Sequence, residues 1–89
     1  HIPGMEVTSD DSAFAKDIPI DTALDWYVTY FQNNGYTVTV EPGNSQTTLE
    51  DTNEVRFYQG YYVTVENDTY IYIVKLREVK EGGIRLTKN

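Results

Sequence analysis

The chain has 89 residues, no Cys, and 14 Asp and Glu against 7 Lys and Arg, which gives a formal net charge of -7. A chain of this length forms one domain, and the absence of Cys excludes disulfides and thiolate metal sites while leaving the compartment open. No apolar run approaches the roughly 20 residues of a membrane-spanning helix and no signal peptide is visible, so membrane insertion is not expected.

The charges are unevenly distributed along the chain. Residues 1–74 carry 12 acidic and two basic side chains, whereas residues 75–89 carry five basic and two acidic ones. Because most of this surface would repel a polyanion, nucleic-acid binding is not expected. Two explanations fit the basic end: Lys and Arg on an edge strand would discourage aggregation between sheets, or they would form a local site for an anionic ligand.

The first four residues, 1–4, lie ahead of Met5 and are interpreted as a cloning remnant, which leaves residues 5–89 as a single domain. On that interpretation His1, the one histidine of the chain, lies outside the domain. The chain could equally be a piece excised from a longer secreted or membrane-anchored protein.

The segment before the first long element gives short, weak patterns. Residues 5–8 are expected to form a short edge strand. Residues 9–11, Ser-Asp-Asp, are a candidate cap for a single helical turn over residues 13–16. Ile18 precedes a proline and therefore favours extended backbone, which ends that turn.

A helix is predicted from Asp21 to Asn34. Apolar residues recur there at steps of three and four, which is typical of a helix with one buried stripe; they are Ile20, Leu24, Tyr27, Val28 and Phe31. Thr22 and Asp25 fit an acidic capping box at the start, and Gly35 can adopt the left-handed conformation that ends a helix.

Residues 36–41 alternate between apolar and polar side chains, which predicts a half-buried strand. Residues 41–44 place Pro and Gly where a type II turn requires them. Residues 44–53 are polar around a single Leu, so we expect a mobile loop with at most a short strand near Thr47.

The strongest hairpin pattern follows. Residues 55–66 and 69–79 are rich in Tyr, Val and Ile, and they flank Asn67-Asp68, two residues that tolerate positive φ. A two-residue turn at this point would place Val63 opposite Tyr72.

The last elements complete a simple order. Gly60 indicates a bulge or bend inside the first hairpin strand, and the turn at residues 81–83 leads to a final strand over residues 84–86. The predicted fold class is α+β, two-layer, with one main helix packed across a twisted antiparallel sheet of four to five strands. The order β-α-β-β-β-β resembles the cystatin-like folds, but no cystatin inhibitory motif is present, so the resemblance implies an arrangement and not a function.

The sequence does not indicate an enzyme. Ser9, Ser12 and Ser45 lack a native histidine that could act as their base, and no nucleophile-elbow, phosphate-loop or zinc-protease motif is present. The acidic residues are so numerous that a close pair of carboxylates would carry little information. No cofactor is predicted.

Two acidic stretches are candidates for a weak Ca²⁺ site, because calcium prefers carboxylate and carbonyl oxygens. They contain Asp10 and Asp11 in the first stretch and Glu50 and Asp51 in the second. Their spacing does not match an EF-hand. The alternative is that these carboxylates cap helices or are solvated.

Tyrosine is unusually abundant, with 8 Tyr against 3 Phe and 1 Trp. One face of the predicted hairpin cannot be covered by the single helix, and its candidate partner-binding residues are Tyr58, Tyr62, Ile71, Ile73 and Arg77. Tyr and Arg are enriched in protein interfaces, although exposed Tyr beside β-branched residues is also ordinary strand composition. The leader segment, a second copy of the chain or another protein could cover this face.

These patterns lead to one preferred function and two alternatives. The preferred function is a non-enzymatic interaction module that contacts a protein partner or a second copy through the Tyr-rich face. One alternative is an acidic effector that occupies a basic groove of a nucleic-acid enzyme, since the acidic part of the chain could imitate a row of phosphates. The other is a calcium-binding extracellular domain.

Overall fold

The computed structural model describes residues 1–88. Within them lie one helix and eight strands: β1 (Glu6–Ser9), β2 (Ser12–Ala15), α1 (Ile20–Asn33), β3 (Thr37–Pro42), β4 (Ser45–Thr48), β5 (Val55–Tyr58), β6 (Gly60–Glu66), β7 (Ile71–Glu78) and β8 (Ile84–Lys88). The predicted α+β class is confirmed, with one helix packed on a large antiparallel sheet. The main sheet has six strands rather than four to five, in the order β1-β2-β8-β7-β6-β3, and β4 and β5 form a separate pair.

One additional strand is β2, where a helical turn was expected. Ala13 pairs with Leu86 and Ala15 with Ile84, and all four side chains are buried. A single helical turn fixes the backbone of several residues but forms almost no backbone hydrogen bonds. Pairing with β8 instead gives β2 a full ladder of backbone hydrogen bonds. The prediction of a helical turn at residues 13–16 is therefore wrong.

The basic end of the chain lies inside the sheet. β8 pairs with β2 on one side and β7 on the other, so the explanation that its Lys and Arg protect a free edge is wrong. Side chains alternate across a strand, and Leu76 and Leu86 are buried on the helix side. Lys75, Arg77 and Arg85 therefore lie on the opposite face.

The β6–β7 hairpin has a four-residue turn, Asn67 to Tyr70, instead of the predicted two-residue turn. The Asn67 amide donates to the Tyr70 carbonyl (2.8 Å). Val65 consequently pairs with Tyr72, two positions from the predicted register. Since side chains repeat every second residue, this even shift leaves the side chains of β6 and β7 on their predicted faces.

The ends of α1 differ in how they are stabilised. Pro19 is the N-terminal cap and no side chain bonds there, so the predicted capping box does not form. At the other end Gly35 has φ 85°, and the amides of Gly35 and Tyr36 donate to the carbonyls of Gln32 and Phe31, which is the predicted glycine stop. No helix within residues 1–88 has the length and apolarity to cross a membrane.

The core lies between α1 and one face of the main sheet. It consists of Ile2, Ala13, Ala15, Ile20, Ala23, Tyr27, Val63, Val65, Val74, Leu76, Ile84 and Leu86. Residues 1–4 contribute to this packing through Ile2, and His1 Nδ1 lies 3.1 Å from the Tyr27 hydroxyl. The whole core is thus on the helix side, which leaves the other face of the sheet, the outer face, without a helix.

Candidate functional site

The outer face carries an exposed apolar cluster at one end, which we call the outer patch: Tyr62, Ile71 and Ile73. Their side chains are 42%, 64% and 41% exposed. Ile71 and Ile73 are two residues apart on β7, and Tyr62 lies diagonally from Ile73 on β6. The leader does not cover them, because β1 and β2 extend the sheet at its edge instead. Three of the five predicted partner-binding residues therefore lie together and exposed.

Charged side chains fix and border the outer patch. Lys75 is directly opposite Tyr62, its Nζ lies 3.8 Å from the centroid of the Tyr62 ring, and it donates to the Gly43 carbonyl (2.9 Å). Glu66 is opposite Ile71, and Glu41 is opposite Tyr62 on the edge strand β3. The patch is thus a small apolar surface with carboxylates along one border.

Residues 44–59 form a hairpin, the arm. The sequence predicted a mobile loop over residues 44–53 with at most a short strand near Thr47; β4 is that strand, and it pairs with β5 instead of lying in a loop. At the tip the Leu49 amide donates to the Glu54 carbonyl (2.8 Å). By register, Val55 and Phe57 share one face of the arm while Tyr58 lies on the other. Phe57 is 77% exposed.

The arm joins the sheet at a close approach of two glycines. The Gly43 amide donates to the Gly60 carbonyl (2.8 Å), and the Gly60 amide donates to Asn44 Oδ1 (3.1 Å). A Cβ on Gly60 would lie 2.6 Å from the Gly43 oxygen. Only glycine fits there. The sequence predicted a bulge or bend at Gly60 within one strand, whereas one strand ends at Tyr58 and the next begins at Gly60.

A cleft of about 460 Å³, the arginine cleft, lies between the arm and the end of the outer face. From the arm, the cleft is lined by Ser45, Thr47 and Tyr58. From the main sheet, its lining includes Phe14, Arg77 and Arg85. Arg77 and Arg85 are directly opposite each other on β7 and β8. The Tyr58 hydroxyl is buried and has no hydrogen-bond partner in the described part of the chain.

Arg85 is held in place by three neighbours. Its Nη1 donates to Ser12 Oγ (3.0 Å) and Thr8 Oγ1 (3.3 Å). Its guanidinium carbon lies 5.5 Å from the centroid of the Phe14 ring. Hydroxyl acceptors carry no charge, so these bonds do not neutralise the guanidinium, and the lining holds three basic side chains against two acidic ones, Glu78 and Glu81.

Two predicted partner-binding residues, Tyr58 and Arg77, lie in this cleft and not in the outer patch. The sequence predicted that Tyr58 pairs with Arg77 in one hairpin, but Arg77 pairs with Gly60 and Tyr58 belongs to the arm. Sequence reasoning missed Phe14, because its strand was taken for a helical turn. It also missed Ser45 and Thr47, which lie in the segment predicted to be a loop. The available signal was the pair of glycines, Gly43 and Gly60, one at each end of the arm, which allow its two ends to approach closely.

The predicted calcium ligands lie in two different loops. Asp10 and Asp11 form the turn between β1 and β2, and Glu50 and Asp51 lie at the tip of the arm. Among residues 1–88 there is no group of three or more His, Cys, Asp or Glu side chains placed to hold a metal ion. A calcium site therefore stays a prediction.

Tyrosine hydroxyls at the border of the core connect distant segments. The Tyr61 hydroxyl donates to Asp21 Oδ1 (3.0 Å), and the Tyr72 hydroxyl donates to the Tyr36 hydroxyl (2.9 Å). These hydrogen bonds raise the pKa of Tyr61 and of Tyr72 above the usual tyrosine value. Burial raises the pKa of Tyr27.

An aromatic groove of about 390 Å³ lies between α1 and the β1–β2 turn. Trp26 and Tyr30 stack at its border with ring centroids 5.4 Å apart. Lys88 Nζ lies 4.9 Å from the centroid of the Tyr72 ring, and His1 contacts Tyr27. The lining of this groove therefore combines aromatic rings with the basic side chains of His1 and Lys88.

Comparison of the chain with protein-family models, with curated proteins and with solved structures gives no match in any of the three.

Proposed function

We propose that the protein is a non-enzymatic binding module that contacts another protein through the outer patch. The observation that supports this most is the adjacency of Tyr62, Ile71 and Ile73, exposed on a six-stranded sheet whose other face is packed by α1. Contiguous exposed apolar patches are often interaction sites, and Tyr is enriched in interfaces. Because these strands are fixed by the core, binding would cost little ordering of the backbone.

The charges around the patch indicate the partner's chemistry. Glu41 and Glu66 border it, and the whole chain has a net charge of -7. A partner that matches this surface has an apolar centre bordered by Lys or Arg, and long-range attraction would speed its association. The predicted cystatin-like arrangement is not needed for this proposal, since a fold does not determine a function.

The test compares two variants that each replace two exposed apolar side chains by threonine. Ile71→Thr with Ile73→Thr removes the centre of the patch, while threonine keeps the branching that suits a strand. Val55→Thr with Phe57→Thr is the matched control on the arm. Proteins captured by the immobilised wild-type chain, and quantified by mass spectrometry, should fall at least about tenfold with the patch variant and stay unchanged with the arm variant.

Equal capture by the wild-type chain and the patch variant, or loss with the arm variant alone, would contradict the proposal. Sedimentation of the pure chain shows whether the partner is a second copy. The salt dependence of binding distinguishes the outer patch from the acidic-effector alternative. Contacts made mainly by exposed carboxylates weaken strongly at high salt, whereas a contact centred on apolar side chains persists.

A further inference from the structure

The arginine cleft lies beside the outer patch, since Ser45 and Arg77 also line a pocket that includes Tyr62, but it presents a different chemistry. Its lining includes three basic side chains, Arg77, Lys80 and Arg85, against two acidic ones. One of the acids, Glu78, accepts the Gln59 amide through Oε1 (2.7 Å), so it is engaged with the arm. The cleft is thus a basic site in a chain whose net charge is -7.

The placement of the two arginines is unfavourable without an anion. Arg77 and Arg85 are directly opposite neighbours in the β7–β8 ladder, and like charges in that position repel. Arg85 is fixed by the hydroxyls of Thr8 and Ser12, which limits its freedom to turn away. An anion bound between the two guanidiniums would replace repulsion by two attractive contacts.

The hydroxyls around the arginines add further donors. Ser45 and Thr47 line the cleft from the arm, whereas the Tyr58 hydroxyl is buried and not open to a ligand in the cleft. A carboxylate offers two oxygens to such a donor set, whereas a phosphate monoester offers three and carries a charge of about -1.5 to -2 at neutral pH. We propose that the arginine cleft binds the phosphoryl group of a phosphate monoester.

The phosphoryl group could belong to a small molecule or to a phosphorylated residue of another protein. Both present the same oxygens to Arg77 and Arg85, and the net charge of -7 of the chain disfavours a chain of phosphates. The 89-residue chain is therefore titrated with three probes while its amide and arginine Nε–H NMR signals are followed. The probes are inorganic phosphate, phenyl phosphate, and a phosphotyrosine peptide beside its unphosphorylated form. Saturable shifts of Arg85, Arg77 and Tyr58 are expected with the phosphorylated probes. Tighter binding of the peptide than of phenyl phosphate identifies a protein source, and the reverse identifies a small molecule.

Three variants assign the binding to the cleft. Arg85→Gln should weaken phosphate binding at least about tenfold, because a hydrogen bond between charged groups is lost. Arg77→Gln should also weaken it, because the second guanidinium is lost. Lys16→Gln, which removes one positive charge at an exposed position outside the cleft, is the control and should change the affinity less than about twofold. The amide spectrum of each variant shows directly whether it is folded.

Three results would overturn the proposal: shifts that grow linearly without saturation, acetate binding as tightly as phosphate at equal ionic strength, or equal effects of Lys16→Gln and Arg85→Gln. The proposal does not depend on the outer patch. The variant Ile71→Thr with Ile73→Thr is expected to bind phosphate normally, so failure of one proposal is distinguishable from failure of the other.

Discussion

Gly60 determines how the arm meets the sheet. A Cβ at this position would lie 2.6 Å from the backbone oxygen of Gly43, whereas the nearest atoms to a Cβ on Gly43 belong to the side chains of Tyr62 and Lys75. Backbone cannot move aside as a side chain can. The geometry of the arginine cleft therefore depends on one residue that does not line it.

Replacing Gly60 by alanine should destabilise the protein. We expect Gly60→Ala to lower the free energy of unfolding by about 1–3 kcal/mol through overpacking, as measured by urea denaturation. Gly43→Ala is the comparison and should cost less, because Tyr62 and Lys75 can shift. A larger loss for Gly43→Ala would contradict this account of the junction.

The buried Tyr58 hydroxyl should oppose folding. A buried hydroxyl without a partner costs about 1–3 kcal/mol, so Tyr58→Phe is expected to raise the free energy of unfolding by about 1 kcal/mol. Thermal or urea unfolding in a buffer free of phosphate measures it. A decrease in stability would show that the hydroxyl makes a stabilising contact in solution.

At the scale of elements, the turn residues set the register of the β6–β7 hairpin. Asn67 Oδ1 accepts the amides of Thr69 (2.9 Å) and Tyr70 (2.7 Å), a local bond pattern that Asn favours in turns. We expect Asn67→Ala to cost about 1–2 kcal/mol in urea denaturation. Asp68→Ala, one residue further along in the same exposed turn, should stay within about 0.5 kcal/mol; equal effects would contradict the role of Asn67.

The elements that the sequence predicts well are those with a long local pattern. α1, its glycine stop and the alternation of the two hairpin strands follow from periodicity, and alternation alone placed Tyr62, Ile71 and Ile73 on the outer face. β2 could not be predicted, because four residues with two alanines become a strand only beside β8, 69 or more positions away along the chain. The apolar pattern of residues 55–66 is continuous and predicts one strand that includes Tyr58. Nothing in this pattern shows that the residues before Gln59 pair with β4 while those after it pair with β7.

At the scale of the whole molecule, tyrosine hydroxyls link separate segments, and their pKa shifts predict the response to alkali. The pKa of Tyr61 is raised mainly by its hydrogen bond to Asp21, that of Tyr72 by its bond to Tyr36, and that of Tyr27 by burial. A tyrosine whose folded pKa is raised binds its proton more tightly in the folded state. Its contribution is complete below the unfolded pKa of about 10 and is lost as the pH rises through the folded value.

The free energy of unfolding should therefore fall above about pH 10. Tyr61→Phe is expected to make this decline shallower, and Asp21→Asn, which removes the carboxylate acceptor, should do the same. Urea denaturation at a series of pH values between 8 and about 11 measures the slope. An unchanged slope in both variants would contradict the assignment.

The molecule is elongated, with principal extents of 49 × 24 × 22 Å, and its outer face offers two different surfaces. The outer patch is apolar and bordered by acids, whereas the arginine cleft is basic and rich in hydroxyls. The uneven charge of the sequence thus has a structural counterpart, because part of the basic last segment, Arg77 and Arg85, lines the cleft while the acids dominate elsewhere.

The most direct test of the central claim places a photoreactive benzophenone amino acid at Ile73, on the outer patch, or at Thr29, an exposed position on α1. After irradiation in cell extract, the chain labelled at Ile73 should form discrete cross-linked products with another protein, and the chain labelled at Thr29 should not. Cross-links of equal yield at both positions, or only at Thr29, would contradict a binding module that acts through the outer face of its sheet.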